Sequence, residues 1–450
     1  MNDLLQATAQ RAIRYLSSVD TRGVAPTPEA IARLAALGGP LPEEPADAAE
    51  VLALLDDIGS PATMASTGGR YFGFVIGGAL PATLAASWLA STWDQNGGMT
   101  VASPIASALE VAAQGWLLDV LGLPASAGVG FVTGATMANF SALAAARHAL
   151  LERAGWNVEA QGLFGAPPIT VVVGDEVHVS LLKGLNLLGL GRERVVRVPV
   201  DRQGRMRPDA LPPLNSSTLL CIQAGNVNSG ACDPVEELCA IAHAAGAWVH
   251  VDGAFGLWLA AAPTRAHLVC GIANADSWAT DAHKWLNVPY DSGLVICRQP
   301  GHLRAAMSVN AAYLEQQDRR GEPFDYTPEM SRRARGTEIW AALRTLGRAG
   351  LAAMIERNCQ HAARFAAGLR TAGYQVLNDV TSNQVLVAFG DADTTRRVIA
   401  AVQADGTCWC GGTVWQGHTA MRISVSSWAT TEEDVDQSLA AIRRCAATIC

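Results

Sequence analysis

The chain has 450 residues, and 33 Lys and Arg against 41 Asp and Glu leave a formal net charge of −8. Charged residues make up 16% and hydrophobic ones 50%. The usual charged share is about 25%, so this is not a disordered chain, which pairs low hydrophobicity with high charge; without basic runs it is not an electrostatic nucleic-acid binder either.

The length gives two or three domains, and the apolar surplus points to surface covered by a second subunit. The opening MNDLLQATAQRAIRYL scatters its charge and has no apolar run of signal-peptide type, so a cytoplasmic protein is expected. Thr27-Pro28-Glu29 reads as a helix start, a capping hydroxyl followed by proline in the first turn. Gly38 to Asp47, rich in Pro, Gly and acid, reads as a linker. Tyr71 to Trp93 carries no charge and is long enough to cross a bilayer. Its Gly73, Gly77, Gly78 and Pro81 instead predict loop, turn and helix, a buried wall beside a site rather than a membrane span.

From about 105 to 300, helical stretches alternate with short apolar runs at Ile169–Val173, Val195–Val198, Leu219–Gln223, Trp248–Val251 and Gly293–Cys297. Nearly continuous apolar strands are covered on both faces, and strands alternating with helices predict an α/β domain with a mostly parallel sheet. Glu315 to Arg335 holds ten charged residues, too many for a core. A last α+β unit ends in a helix whose start, Thr430-Thr431-Glu432-Glu433, fits a capping box. The ten cysteines form no C-x-x-C pair and have no histidine cluster beside them, so reduced, mostly buried thiols are expected and no metal.

Ligands of an open α/β sheet sit beyond the carboxyl ends of the strands, and polar residues follow five apolar runs. Phe131-Val132-Thr133 leads into Gly134-Ala135-Thr136 and a helix, whose free N–H groups and dipole favour an anion. Val171–Val173 leads to His178, Leu219–Gln223 to Gly225-Asn226-Val227, and Trp248–Val251 to Asp252 and then Ala254. Ser277–Trp285 places Lys284 after His283 among apolar neighbours. A lysine amine can form a Schiff base with a carbonyl, and partial desolvation favours the free amine that does so. Together these supply a phosphate cradle, a plate for an aromatic ring, an acid for a ring nitrogen and a lysine for an aldehyde, the requirements of pyridoxal 5'-phosphate.

HVDGAFG (250–256) and DSWATDAHKWLNVPYDSG (276–293) closely resemble the group II pyridoxal phosphate-dependent amino acid decarboxylases, which include the aromatic-L-amino-acid, glutamate and histidine decarboxylases. The resemblance runs from about Tyr71 to Arg422, with the aspartate 32 residues before the lysine. It implies an aspartate-aminotransferase-like fold: an N-terminal helical arm (1–75), a large cofactor domain (76–305), and a mobile loop with a small C-terminal α+β domain (306–450). It also implies a homodimer that exchanges the arm. Lys284 would bind the cofactor aldehyde, Asp252 the pyridinium nitrogen, His178 one ring face and Ala254 the other. Ala135, Thr136 and His283 would contact the phosphate, and Arg422 would take the substrate carboxylate. Asn226 and Val227 stand where many members have two threonines, so Asn226 is a candidate cofactor contact.

Val75 and Gly98 replace aromatic pocket residues, leaving room for a bulkier substrate. Tyr313, in Asn310-Ala311-Ala312-Tyr313-Leu314, matches the mobile-loop tyrosine that protonates the substrate carbon; aldehyde-forming relatives often carry phenylalanine there. The activity implied is decarboxylation of an L-amino acid, apolar or aromatic, to the amine and CO2. The alternatives are another pyridoxal phosphate reaction: a lyase, an aminotransferase or an aldehyde-forming oxidative decarboxylase.

Overall fold

The structure, a computed structural model, describes residues 1–309 and 321–449. Seven strands, β1 (Gly128–Val132), β2 (Thr170–Gly174), β3 (Val196–Val198), β4 (Thr218–Gln223), β5 (Trp248–Asp252), β6 (Ser277–Asp281) and β7 (Gly293–Cys297), form one sheet in the order β1-β7-β6-β5-β4-β2-β3. β7 runs antiparallel to both its neighbours and the other pairings are parallel. Helices cover both faces, so the central strands are buried throughout, as their continuous apolar runs predict. β6 is the strand that hydrophobicity hides. Its Ser277, Thr280 and Asp281 are polar but buried, and each has a partner inside the protein.

A second, antiparallel sheet joins β8 (Gln375–Val376), β9 (Gln384–Ala388), β10 (Gly411–Trp415) and β11 (His418–Ser424) in the order β10-β11-β9-β8. It packs on the Gly336–Thr371 and Ala392–Asp405 helices, in a core that Val387, Val402 and Ile423 share with Val435 and Ile442 of the Glu432–Ile449 helix. The last helix starts one residue later than expected: Thr431 Oγ1 accepts the Asp434 N–H, and the Asp434 carboxylate accepts the Thr431 N–H. The capping box therefore uses Asp434 rather than the glutamates. Phe72 adds its backbone beside this sheet, donating to Trp409 O at 2.8 Å and accepting from Ser424 N at 3.0 Å.

Thr27 caps its helix as expected, accepting the Ala30 N–H at 3.2 Å. The Asn2–Ser18 helix buries none of its residues and leaves Leu5, Ile13 and Leu16 exposed. Pro81–Trp93 is helical and runs on from the 71–80 loop, and no helix among the described residues is long and apolar enough to cross a membrane.

Within the described part of the charged stretch, 321–335, Arg332 departs from expectation. Arg332 and Glu110 are buried, with 1% and 8% of their side chains exposed, and meet in a two-pronged pair at 2.6 and 2.7 Å. Two opposite charges with matched hydrogen bonds can enter a core that neither would enter alone. Among the described cysteines all are free thiols, and all but Cys270 are buried.

Candidate active site

Five strand ends converge. After β1, Gly134 leads into the Ala135–Arg153 helix. A Cβ on Gly134 would lie 3.0 Å from the His283 ring and 3.2 Å from an Asp281 oxygen, and one on Gly293 would lie 2.4 Å from the Gly134 Cα. Backbone approaches so closely at Gly293 that the position requires glycine, and a side chain at Gly134 would crowd His283 and Asp281. Ala135 is buried at the helix start and Thr136 half-buried beside it, so the expected phosphate turn has small residues at a helix N-terminus.

After β2, His178 caps the next helix. Its Nδ1 accepts the Ser180 N–H at 3.3 Å and lies 2.7 Å from Ser180 Oγ. Burial pushes the imidazole's pKa down, with Lys284 and Arg422 acting in the same direction and Asp252 and Asp281 against it. The ring is thus neutral and near these four charges. At the end of β5, Asp252 accepts from Ala254 N at 3.3 Å and from Asn139 Nδ2 at 3.1 Å.

Asn139 belongs to a buried chain of donors. Its Oδ1 meets His250 Nε2 at 2.9 Å, His250 Nδ1 meets Ser277 Oγ at 3.0 Å, and Trp248 Nε1 donates to the same Oγ at 3.0 Å. Because Asn139 turns its NH2 towards Asp252, its oxygen faces His250. The His250 proton therefore sits on Nε2, and every donor in the chain points towards the Asp252 carboxylate.

After β6, the Asp281 carboxylate collects three partners: the Ala135 N–H at 2.5 Å, His283 Nε2 at 3.3 Å and Lys284 Nζ at 3.0 Å. His283 stacks on Tyr290 with ring centres 4.1 Å apart. The turn after Lys284 is fixed by Asn287, which has a left-handed φ of 58°. Its Nδ2 donates to Trp285 O and Ser426 O at 2.9 and 3.0 Å, and its Oδ1 accepts from Trp428 N at 2.8 Å. A Cβ on Gly77 would lie 1.8 Å from Lys284 O, so the 71–80 loop rests directly on the lysine turn.

On β11, Arg422 donates to Val227 O at 3.2 Å, and burial pushes its pKa down. Among the described residues no carboxylate pairs with it. Asn226 is engaged elsewhere: its Oδ1 accepts from Asn228 N and Ser229 N, and its Nδ2 donates to Glu176 at 2.9 Å. It builds the turn whose next carbonyl holds Arg422. Two expectations about pocket size fail. Val75 is packed into the core, and a Cβ on Gly98 would lie 1.9 Å from Met330 O; neither residue opens space. Tyr313 lies outside the described residues.

Asp281, Asn139, His250 and Asn287 are functional neighbours that sequence reasoning missed. The spacing held signals for two of them: Asp281 stands three residues before the lysine, and Asn139 one helical turn after Ala135.

The donor set fits pyridoxal phosphate. A lysine amine, a carboxylate backed by directed donors, a neutral imidazole and a glycine-walled helix start are what its aldehyde, ring nitrogen, ring face and phosphate require. The buried Ser292 hydroxyl has no protein partner among the described residues, while its backbone N–H donates to His283 Nδ1 at 3.1 Å. Fold and site together define a lysine-bearing pyridoxal phosphate enzyme of the aspartate-aminotransferase type. Residues 41–390 match the family model described as pyridoxal-dependent decarboxylase conserved domain, and the chain belongs to that family: it is a carboxy-lyase whose cofactor is pyridoxal 5'-phosphate.

The chain is 27% identical over 371 residues to an aromatic-L-amino-acid decarboxylase of Bacillus atrophaeus, covering 77% of this chain and 75% of the relative. It is 26% identical over 373 residues to a phenylacetaldehyde synthase of a Rosa hybrid cultivar, covering 74% and 72%. The crystal structure of Oryza sativa TDC with PLP and tryptamine superposes with a TM-score of 0.90 at 23% identity, over 100% of this chain and 98% of that one.

Proposed function

We propose that the chain decarboxylates an apolar or aromatic L-amino acid to its amine and CO2. The observation that carries this is Arg422, a half-buried guanidinium with no carboxylate partner among the described residues, whose charge acts on His178 together with those of Lys284 and Asp252. A cation left unpaired in such a place awaits an anion, and an amino acid brings one. The cofactor supplies an electron sink for the bond that breaks at Cα. Asp252 would keep the ring nitrogen protonated, His178 and Ala254 would hold the ring between them, and Arg422 would orient the substrate carboxylate so that a single bond at Cα is aligned for cleavage. Tyr313 delivers the proton to Cα.

The aromatic wall supports an apolar side chain. Tyr71 and Phe74 flank Trp409, with ring centres 5.2 and 5.5 Å away, and the loop that carries them reaches Lys284 through Gly77. Similarity to the rose phenylacetaldehyde synthase keeps an aldehyde-forming reaction as the second reading. Incubation with a panel of L-amino acids, measuring CO2, amine, aldehyde and ammonia, tests both. Amine with equimolar CO2 supports the first, aldehyde with ammonia the second, and no product from any amino acid by the loaded protein removes both.

A homodimer is part of the same proposal. The exposed Leu5, Ile13, Leu16, Leu54 and Leu55 of the N-terminal helices, with Trp88, Leu89 and Trp93 of the Pro81–Trp93 helix, support a partner covering these faces. Sedimentation of the loaded protein tests it, and a fully active monomer contradicts it.

A further inference from the structure

The donors assigned to the cofactor phosphate already hold an anion. Asp281 is 3% exposed, and its Oδ1 takes both the first N–H of the Ala135–Arg153 helix and the His283 Nε2 contact. His283 Nδ1 accepts the Ser292 N–H, so in the neutral ring the proton sits on Nε2, 3.3 Å from the Asp281 oxygen. The other carboxylate oxygen holds Lys284 Nζ. A helix-start N–H, an imidazole N–H and an ammonium on one carboxylate are the partners an anionic phosphate ester takes. Gly134 and Gly293 are bare at this point, which lets the carboxylate reach the helix.

We propose that Asp281 is an internal stand-in for the cofactor phosphate: a positioning residue that holds the cradle and Lys284 together in the cofactor-free chain and competes with phosphate for them. Loading then exchanges one anion for another. The phosphate takes over the Ala135 N–H and His283, and Lys284 leaves its ion pair to meet the aldehyde. Asp281 thereby prevents an unloaded cradle of buried donors from collapsing, at the cost of weaker phosphate binding. No bond is made or broken by Asp281 itself.

The test compares the cofactor-free parent with Asp281→Asn, which keeps the shape and removes the charge, and with Asp281→Ser as a second variant. Calorimetry measures the binding of inorganic phosphate, pyridoxal phosphate and unphosphorylated pyridoxal, and thermal melts are run with and without phosphate. Removing a unit negative charge at contact distance from a phosphate strengthens binding by roughly tenfold or more. Both variants are therefore expected to bind phosphate at least about tenfold tighter, to gain more for pyridoxal phosphate than for pyridoxal, and to melt lower than the parent when phosphate is absent. Unchanged or weaker phosphate binding in both folded variants overturns the proposal, as does a cofactor-free melt no lower than the parent's. A parent that fails to bind pyridoxal phosphate strikes the cofactor assignment instead, which the same titration reads separately.

Discussion

His250 makes the fold sensitive to acid in a way that can be measured. It is fully buried, and burial pushes its pKa from the ordinary 6.5 down to about 3. Its Nδ1 accepts from Ser277 and its Nε2 donates towards Asn139, so a second proton would reverse the Ser277 bond and leave a charge buried inside the sheet. In the unfolded chain the imidazole takes that proton near pH 6.5, while the folded chain refuses it until about pH 3. The stability tied to the neutral ring is complete above pH 6.5 and is lost as pH falls towards 3. At about 1.4 kcal/mol per pH unit, lowering the pH from 6.5 to 4.5 removes roughly 3 kcal/mol.

Urea unfolding followed by circular dichroism at pH 7.5 and 4.5, on the parent and on His250→Gln, isolates this contribution. The glutamine keeps an N–H for Asn139 but cannot titrate, and the other titrating groups are common to both proteins. The parent is expected to lose roughly 3 kcal/mol more than the variant between the two pH values. Equal losses would refute the argument, and with it the directed chain of donors behind Asp252.

Lys284→Ala should abolish the absorbance of lysine-bound cofactor and nearly all turnover; a retained band would direct attention to Lys183. Asp252→Asn should still bind cofactor, by equilibrium dialysis, but lose most of its rate because the ring nitrogen is no longer held as a cation. Glu110→Ala leaves Arg332 charged and buried without its partner and should cost about 3–5 kcal/mol in denaturant unfolding, whereas Glu110→Leu with Arg332→Met should cost far less. Tyr313→Phe should leave cofactor binding intact and cut amine formation at least about tenfold, with aldehyde and ammonia appearing in its place.

The parts of this protein that hydrophobicity encodes were readable from the sequence. β2, β4, β5 and β7 stand within a residue or two of their apolar runs, because a strand covered on both faces has little choice of residue. β6 was not readable as a strand, since its buried serine, threonine and aspartate repay their burial through partners that no local pattern reveals. Lys284 and Asp252 stood out by motif and strand-end position. Asp281 lay in the same motif but drew no attention, because its role depends on the start of a helix more than a hundred residues away. Gly98 misled for a related reason: an absent side chain can mean a cavity or a neighbouring carbonyl, and here Met330 is that neighbour.

Asn287 also bears on how the protein comes into being. Its side chain fastens the lysine turn to Ser426 and Trp428, and Ser426 lies 139 residues further along the chain, while its carbonyl accepts the Leu80 N–H. During synthesis the reactive lysine leaves the ribosome long before the segment that locks its turn. The nascent chain therefore carries Lys284 on an unfastened loop until Ser426 and Trp428 have emerged. A reactive aldehyde meeting the unfinished protein finds an amine without its proper geometry, and the turn is secured when Ser426 and Trp428 reach Asn287.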